Sequence, residues 1–432
     1  MEDVKYRSLA RYPILAVGLS MIGFILIKTG RDAVFFQKNG LYQLPLAYIW
    51  IALVAVPASM VHLNAIERWG ARRARTGVFF VTALLFLLFV PFVDQAQRTA
   101  MGFMFILVPT LFAAVFAGAW LLTGDLLEGA GPATMRWAYS RIGAASMVGG
   151  ILGGLFGKGL SLFFEPRVLV GAGAIILVVV GLVVCCVHRR HPVEAVRWPG
   201  DEDEGGKAVG STSMFGLLMK QSEILRQPYI LVLVGISGLA TLAALYIDFQ
   251  FYATAMISGN NNAQFFANFY IVLNSTSLFL QLVVAPRLQS RFGVGGALML
   301  LPTALLGSAG IFSFATTLKA RAVIKVTEGG LKSSIHRSMW EQVYLPIARE
   351  KREVAKVIID GAFARISEGI GASVLYLWLS TASPGMAELN LTWMSWVIIF
   401  AVLLWIGLTW YLNRLGCADI DPVDPLIRLP DS

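Results

Sequence analysis

Charge is what this sequence has least of. Lys, Arg, Asp and Glu make up 14% of its 432 residues, and apolar residues 57%. A soluble domain carries about 25% charged and about 45–50% apolar residues. So small a share of charge excludes an ordinary soluble domain, and repeated apolar runs of about eighteen residues mark an integral membrane protein. Cysteine is scarce: Cys185, Cys186 and Cys417 are the three. They have no metal spacing, nor do the four histidines form a ligand set, and the adjacent pair at a helix end reads as packing residues. A Walker motif and a nucleophile elbow are also missing. The expectation is a non-enzyme with no cofactor and no metal. No cleavable leader is expected either, because "MEDVKYRSLARYP" mixes both charge signs and runs straight into a full-length span.

What is there is a series of twelve apolar spans, near 11–35, 41–64, 77–95, 100–125, 134–160, 166–187, 228–256, 263–286, 293–317, 320–344, 356–381 and 390–413. The fold class read from them is an all-α integral membrane protein, with twelve transmembrane helices in two six-helix halves. Residues 1–187 form the first half, 188–226 a polar cytoplasmic linker and 227–432 the second half. The net charge of +9 sits largely in short loops, where basic residues set topology rather than bind nucleic acid. With both termini inside, cytoplasmic segments hold twenty basic residues, and the other side only Lys38, Arg98, Arg167, Lys319 and Arg321. This bias predicts a multi-pass plasma-membrane protein, as in a bacterial inner membrane, with both termini cytoplasmic.

The halves echo each other. "NAIERWGARRART" (64–76) follows the second span and "APRLQSRFGVGGA" (285–297) follows the eighth, sharing [E/S]-R-[W/F]-G. The first resembles the acidic-Arg-x-Gly-x-basic-basic loop of the major facilitator superfamily, with Glu67 for the usual Asp. Glu67, Arg68, Gly70, Arg72, Arg73 and Arg291 are therefore the candidate gating and structural loop residues. Six plus six spans with paired loops imply a transporter whose site lies between its halves, worked by alternating access.

The tenth span is the anomaly. A charge at mid-membrane costs roughly 2.5–3.5 kcal/mol on insertion scales, yet "KVTEGGLKSSIHRSMWE" (325–341) holds six such side chains. At about 100° per residue, Lys325, Glu328, Lys332 and His336 fall in one stripe about 80° wide. Arg337 lies further round. One face of this helix must line water, cargo or opposite charge. Matching groups occur in the first span (Lys28, Arg31, Asp32), the fourth (Asp125), the seventh (Tyr246, Asp248), the eighth (Asn268) and the eleventh (Arg365, Glu368). These fourteen residues are the candidate substrate-binding set. Glycine-rich "GAASMVGGILGGLFGKG" (143–159) reads as a helix-packing surface.

Residues 328–376, "EGGLKSSIHRSMWEQVYLPIAREKREVAKVIIDGAFARISEGIGASVLY", resemble the ATP/ADP translocases of plastids and intracellular bacteria. Lys332-Ser333-Ser334, Tyr344-Leu345-Pro346, Lys356 and Asp360 carry the resemblance. Lys28 corresponds to the family's first-span lysine for anionic substrate, and Glu368 stands where the family has a lysine. The resemblance implies a nucleotide transporter or antiporter of the major facilitator type. The reading is a secondary active transporter of an anionic metabolite, a nucleotide among the candidates, by exchange or ion coupling. It is expected to be a monomer whose partners are the bilayer and that small molecule. A proton-coupled exporter of organic solutes is the alternative, and a non-transporting scaffold or lipid scramblase a second. Glu368 is expected beside Lys332 or Lys325, occupying it when no cargo is bound.

Overall fold

Apolar runs of this length can only satisfy their backbone in lipid by closing hydrogen bonds within each segment, so they become helices. The computed structural model describes residues 2–38, 41, 43–94, 98–127, 130, 132–190, 227–260, 262–312, 315, 317–344, 347, 355, 359–360, 363–381 and 391–415. After a short leading helix, Glu2–Leu9, six long helices precede the polar segment: Arg11–Lys38, Gln43–Trp69, Ala71–Asp94, Arg98–Leu126, Pro132–Ser161 and Pro166–Arg190. Six more spans follow it. The seventh is Pro228–Ile257, and the eighth runs Ala263–Phe279 and on through a π-turn at Leu280–Val284. Helix Ala285–Phe312 folds back at Gly293, so its first turns finish the eighth span and the rest is the ninth. The tenth span is Leu318–Leu331, a π-turn Lys332–His336, then Arg337–Val343; the eleventh is Ala364–Thr381 and the twelfth Thr392–Arg414. Most of the polar linker, from 191 to 226, and Cys417 and Lys356 lie outside the described residues.

Nine of these helices are long and apolar enough to cross a membrane. The second, tenth and eleventh spans are the others. The tenth and eleventh are those that carry charge, and the second and eleventh pack on each other.

The repeated loops share more than sequence. Gly70 has φ 81° and Gly293 φ 64°, the left-handed region that other residues enter at a cost. Nothing crowds either Cα. Glycine is needed there for its backbone alone, at the same turn of each half.

The glycines of the fifth span do the opposite task and remove bulk. A methyl on Gly149 would strike the backbone of Gly18 in the first span, and one on Gly150 would strike the Asn274 side chain in the eighth. Gly153 and Gly154 repeat this against Ile22 and Ile271. The fifth span thus wedges between the first span and a helix of the opposite half. Of the paired cysteines, Cys185 is half-buried but Cys186 is exposed, so only one of them packs against the bundle.

Candidate functional site

Two charge clusters occupy the interior. The first ties the halves together. Arg31 donates through Nε at 2.8 Å and Nη2 at 2.5 Å to Asp32 Oδ1. The other carboxylate oxygen, Oδ2, accepts from Tyr270 Oη at 2.5 Å and Tyr252 Oη at 3.3 Å. Asp32 is fully buried and Arg31 5% exposed, and the guanidinium lies 4.1 Å over the Phe105 ring. Phe36 stacks on Tyr252, with centroids 4.6 Å apart. One end of the interior is therefore closed by first-span groups against seventh- and eighth-span aromatics. Lys28 sits just beneath, 4.6 Å from the Tyr270 ring. Among the described residues, no carboxylate is within ion-pair distance of Lys28.

The second cluster surrounds the tenth span. Lys325 Nζ lies 2.5 Å from Asp248 Oδ1 and 2.6 Å from Glu328 Oε2. The other oxygen of Glu328 takes Lys332 at 3.3 Å. Arg365 and Glu368 pair at 2.5 Å on the eleventh span. The result is a chain of alternating sign, Asp248–Lys325–Glu328–Lys332, facing a separate Arg365–Glu368 pair. Between them lies a cavity of about 180 Å³, lined by Tyr48, Thr241, Asp248, Lys332, Arg365 and Glu368 among others. Tyr48 comes from the second span, so the cavity sits where the halves meet. A larger apolar groove of about 550 Å³ between the second and fourth spans includes Leu46, Trp50 and Phe103 in its wall. It offers no charged group, and the smaller cavity is the better candidate.

The expected set divides accordingly. Asp248, Lys332, Arg365 and Glu368 line the cavity, with Lys325 and Glu328 directly behind. Lys28, Arg31 and Asp32 form the closed end. Tyr246 instead turns to Trp393 of the twelfth span, with centroids 6.0 Å apart. Asn268 is exposed. Arg337 is exposed too, its guanidinium 5.6 Å from the Trp120 ring of the fourth span. His336 leaves the expected stripe. Its ring is buried against Trp340 and Trp405, both 5.6 Å away. The cause is the π-turn at Lys332–His336: an i→i+5 turn adds a residue per turn and rotates all that follows away from a 3.6-residue register. Glu368 departs as well, since its ion-pair partner is Arg365 and not a tenth-span lysine. The side chains of Asp125 and Glu67 lie outside the described residues, whereas Arg68, Arg73 and Arg291 are exposed and Arg72 half-buried.

Tyr48, Thr241 and Tyr270 were not among the expected residues. For Tyr270 a signal existed: it is four residues before Asn274 and so on the same helical face, and Asn274 Nδ2 donates to its carbonyl at 2.8 Å. Arg321, counted in a loop, is 3% exposed. It donates to Gln250 Oε1 at 2.9 Å and Ser395 Oγ at 3.4 Å.

No protein-family model matches the sequence, and no curated protein does. Solved structures do. A variant of the nucleoside transporter NupG superposes with a TM-score of 0.64 at 12% identity, covering 92% of this chain and 99% of that one. The POT family transporter PepTSo gives 0.62 at 12% identity, covering 94% and 98%. The chain has the major facilitator fold. At this identity the likeness concerns fold alone, and the resemblance to nucleotide translocases rests on the residues quoted for it. In a major facilitator fold the first, fourth, seventh and tenth spans face the centre. Here the seventh and tenth spans pair Asp248 with Lys325 at 2.5 Å, and Lys28 of the first lies over the Tyr270 ring.

Proposed function

We propose that this protein is a secondary active transporter that carries an acidic metabolite, anionic or zwitterionic, across a membrane by alternating access. The observation that carries the reading is the charged cavity at the junction of the halves, with one end sealed by Asp32, Tyr252 and Tyr270. Among the described side chains of the two clusters, five cations (Lys28, Arg31, Lys325, Lys332, Arg365) meet four carboxylates (Asp32, Asp248, Glu328, Glu368). The excess of one positive charge favours acidic cargo. A scaffold or scramblase is expected to close its charge pairs on themselves and to leave no polar cavity; the pairs here are closed, and the polar cavity beside them is what favours a transporter.

A nucleotide is the cargo that the sequence resemblance suggests. The cavity of about 180 Å³ is smaller than the roughly 300–1,000 Å³ of pockets for drug-sized ligands, so a nucleotide would require the halves to part further. The proposed orientation has both termini and the linker cytoplasmic, and a reporter fused at Gly205 active only outside the cell would overturn it. The function itself is tested in proteoliposomes preloaded with candidate anions. Counterflow of a labelled anion that is lost on Lys332→Gln supports it. Absence of flux for every anion and zwitterion offered contradicts it.

A further inference from the structure

The wall of the cavity carries both signs in equal number: Lys332 and Arg365 against Asp248 and Glu368. We propose that the cavity seats a small zwitterion, its acidic group on Lys332 and Arg365 and its ammonium on Asp248 and Glu368. The proposal rests on the transporter reading for the word cargo, but its test reads binding and stands apart from flux.

The argument begins with what each kind of ligand does to the existing pairs. Arg365 and Glu368 are held to each other at 2.5 Å. A plain anion on Arg365 would pull the guanidinium away and strand Glu368 in a partly desolvated wall, and an unpaired buried charge is heavily penalised. A plain cation on Glu368 strands Arg365 in the same way. A zwitterion entering between them replaces one ion pair by two and strands nothing. The same holds at the other side, where Lys332 and Asp248 are tied to Glu328 and Lys325.

Accessibility agrees. The Lys332 side chain is 49% exposed and Arg365 36%, whereas Glu328 behind them is 4% exposed. Among the described ion pairs of the two clusters, that of Lys332 is the longest, 3.3 Å. It is the cation most easily surrendered to an incoming acid. Asp248 at 27% and Glu368 at 15% are reachable too, and Lys325 keeps Glu328 when Asp248 turns to the ligand. The Tyr48 hydroxyl adds a neutral donor, and Thr241, whose proton goes to the Ser237 carbonyl at 2.8 Å, adds an acceptor. The volume, about 180 Å³, equals about six water-sized shares of liquid, which suits a solute the size of a small amino acid and not a polyphosphate.

The test is calorimetric titration of the full-length protein in detergent with the standard amino acids and phosphoethanolamine. Each is paired with the analogue lacking the amine and the analogue lacking the acid. At least one zwitterion should bind tenfold or more tightly than both of its analogues. Lys332→Gln should weaken the zwitterion and its des-amino analogue alike. Glu368→Gln should weaken the zwitterion tenfold yet strengthen the des-amino analogue, because Arg365 is then free for it; Glu368→Asp should restore zwitterion binding if Glu368→Gln alone perturbs the fold. Equal affinity for zwitterion and des-amino analogue in the native protein would overturn the proposal, as would binding of no zwitterion at all. Flux of a plain anion with no zwitterion binding would sink this inference and leave the transporter reading standing.

Discussion

The phenol of Tyr270 donates to Oδ2 of Asp32 at 2.5 Å, joining the eighth span to the first across the boundary between the halves. A hydrogen bond to a charged acceptor is worth about 1.5–3 kcal/mol, or roughly a tenfold or greater shift in a two-state equilibrium. Tyr270→Phe should therefore populate a form opened at this end. Spin labels at Leu46 and Ile257 should show a second, longer distance in Tyr270→Phe, and an unchanged distribution would mean that the bond does not hold the halves closed.

Removing the acid is a different matter. Asp32→Asn leaves Arg31 buried without its carboxylate and should cost about 3–5 kcal/mol, read as a lowered unfolding midpoint in detergent. Arg31→Met with Asp32→Leu removes both charges and should recover most of that loss. If the double variant is no more stable than Asp32→Asn, the pair does not set the stability of this end.

Gly150 touches Asn274 so closely that no methyl fits. Gly150→Ala should destabilise by about 1–3 kcal/mol, as overpacking does, and adding Asn274→Ala should relieve it. Additive losses in the double variant would place the strain elsewhere.

At Gly70, with φ 81°, the constraint is conformational and not steric. Gly70→Ala should cost about 1–2 kcal/mol. Gly70→Asn should cost less than Gly70→Val, since Asn tolerates the left-handed region and a β-branched residue does not. Equal costs for Asn and Val would contradict this account of the turn.

Sequence alone reveals most of the spans because nine of the described helices are long apolar runs, and the helices lie close to the expected bounds. The matched loops are legible because both halves need glycine at one turn. Asp248, Lys332, Arg365 and Glu368 reach the cavity as their charge inside a span implies. What hydropathy and a fixed 100° step cannot give is register after a π-turn, and so His336 goes astray while Lys332, at its start, does not. Partner choice is equally hidden: Arg365 lies three residues before Glu368 on one helix and captures it before any tenth-span lysine does. Tyr48 and Tyr270 escape notice because an aromatic in an apolar helix looks like core until its surroundings are known; Tyr270 proves to donate to buried Asp32, and Tyr48 to line the cavity.

The central claim is that this cavity is reached in turn from the two sides of the membrane. Thr241 lines it without belonging to any ion pair, so Thr241→Cys in a background with Cys185, Cys186 and Cys417 replaced by serine reports access directly. Membrane-impermeant thiol reagents should label that cysteine from one face in the native background and from the opposite face once Tyr270→Phe releases the closed end, with bound cargo protecting it in both. Labelling from one face only, whatever the state of Tyr270, would contradict alternating access through this cavity.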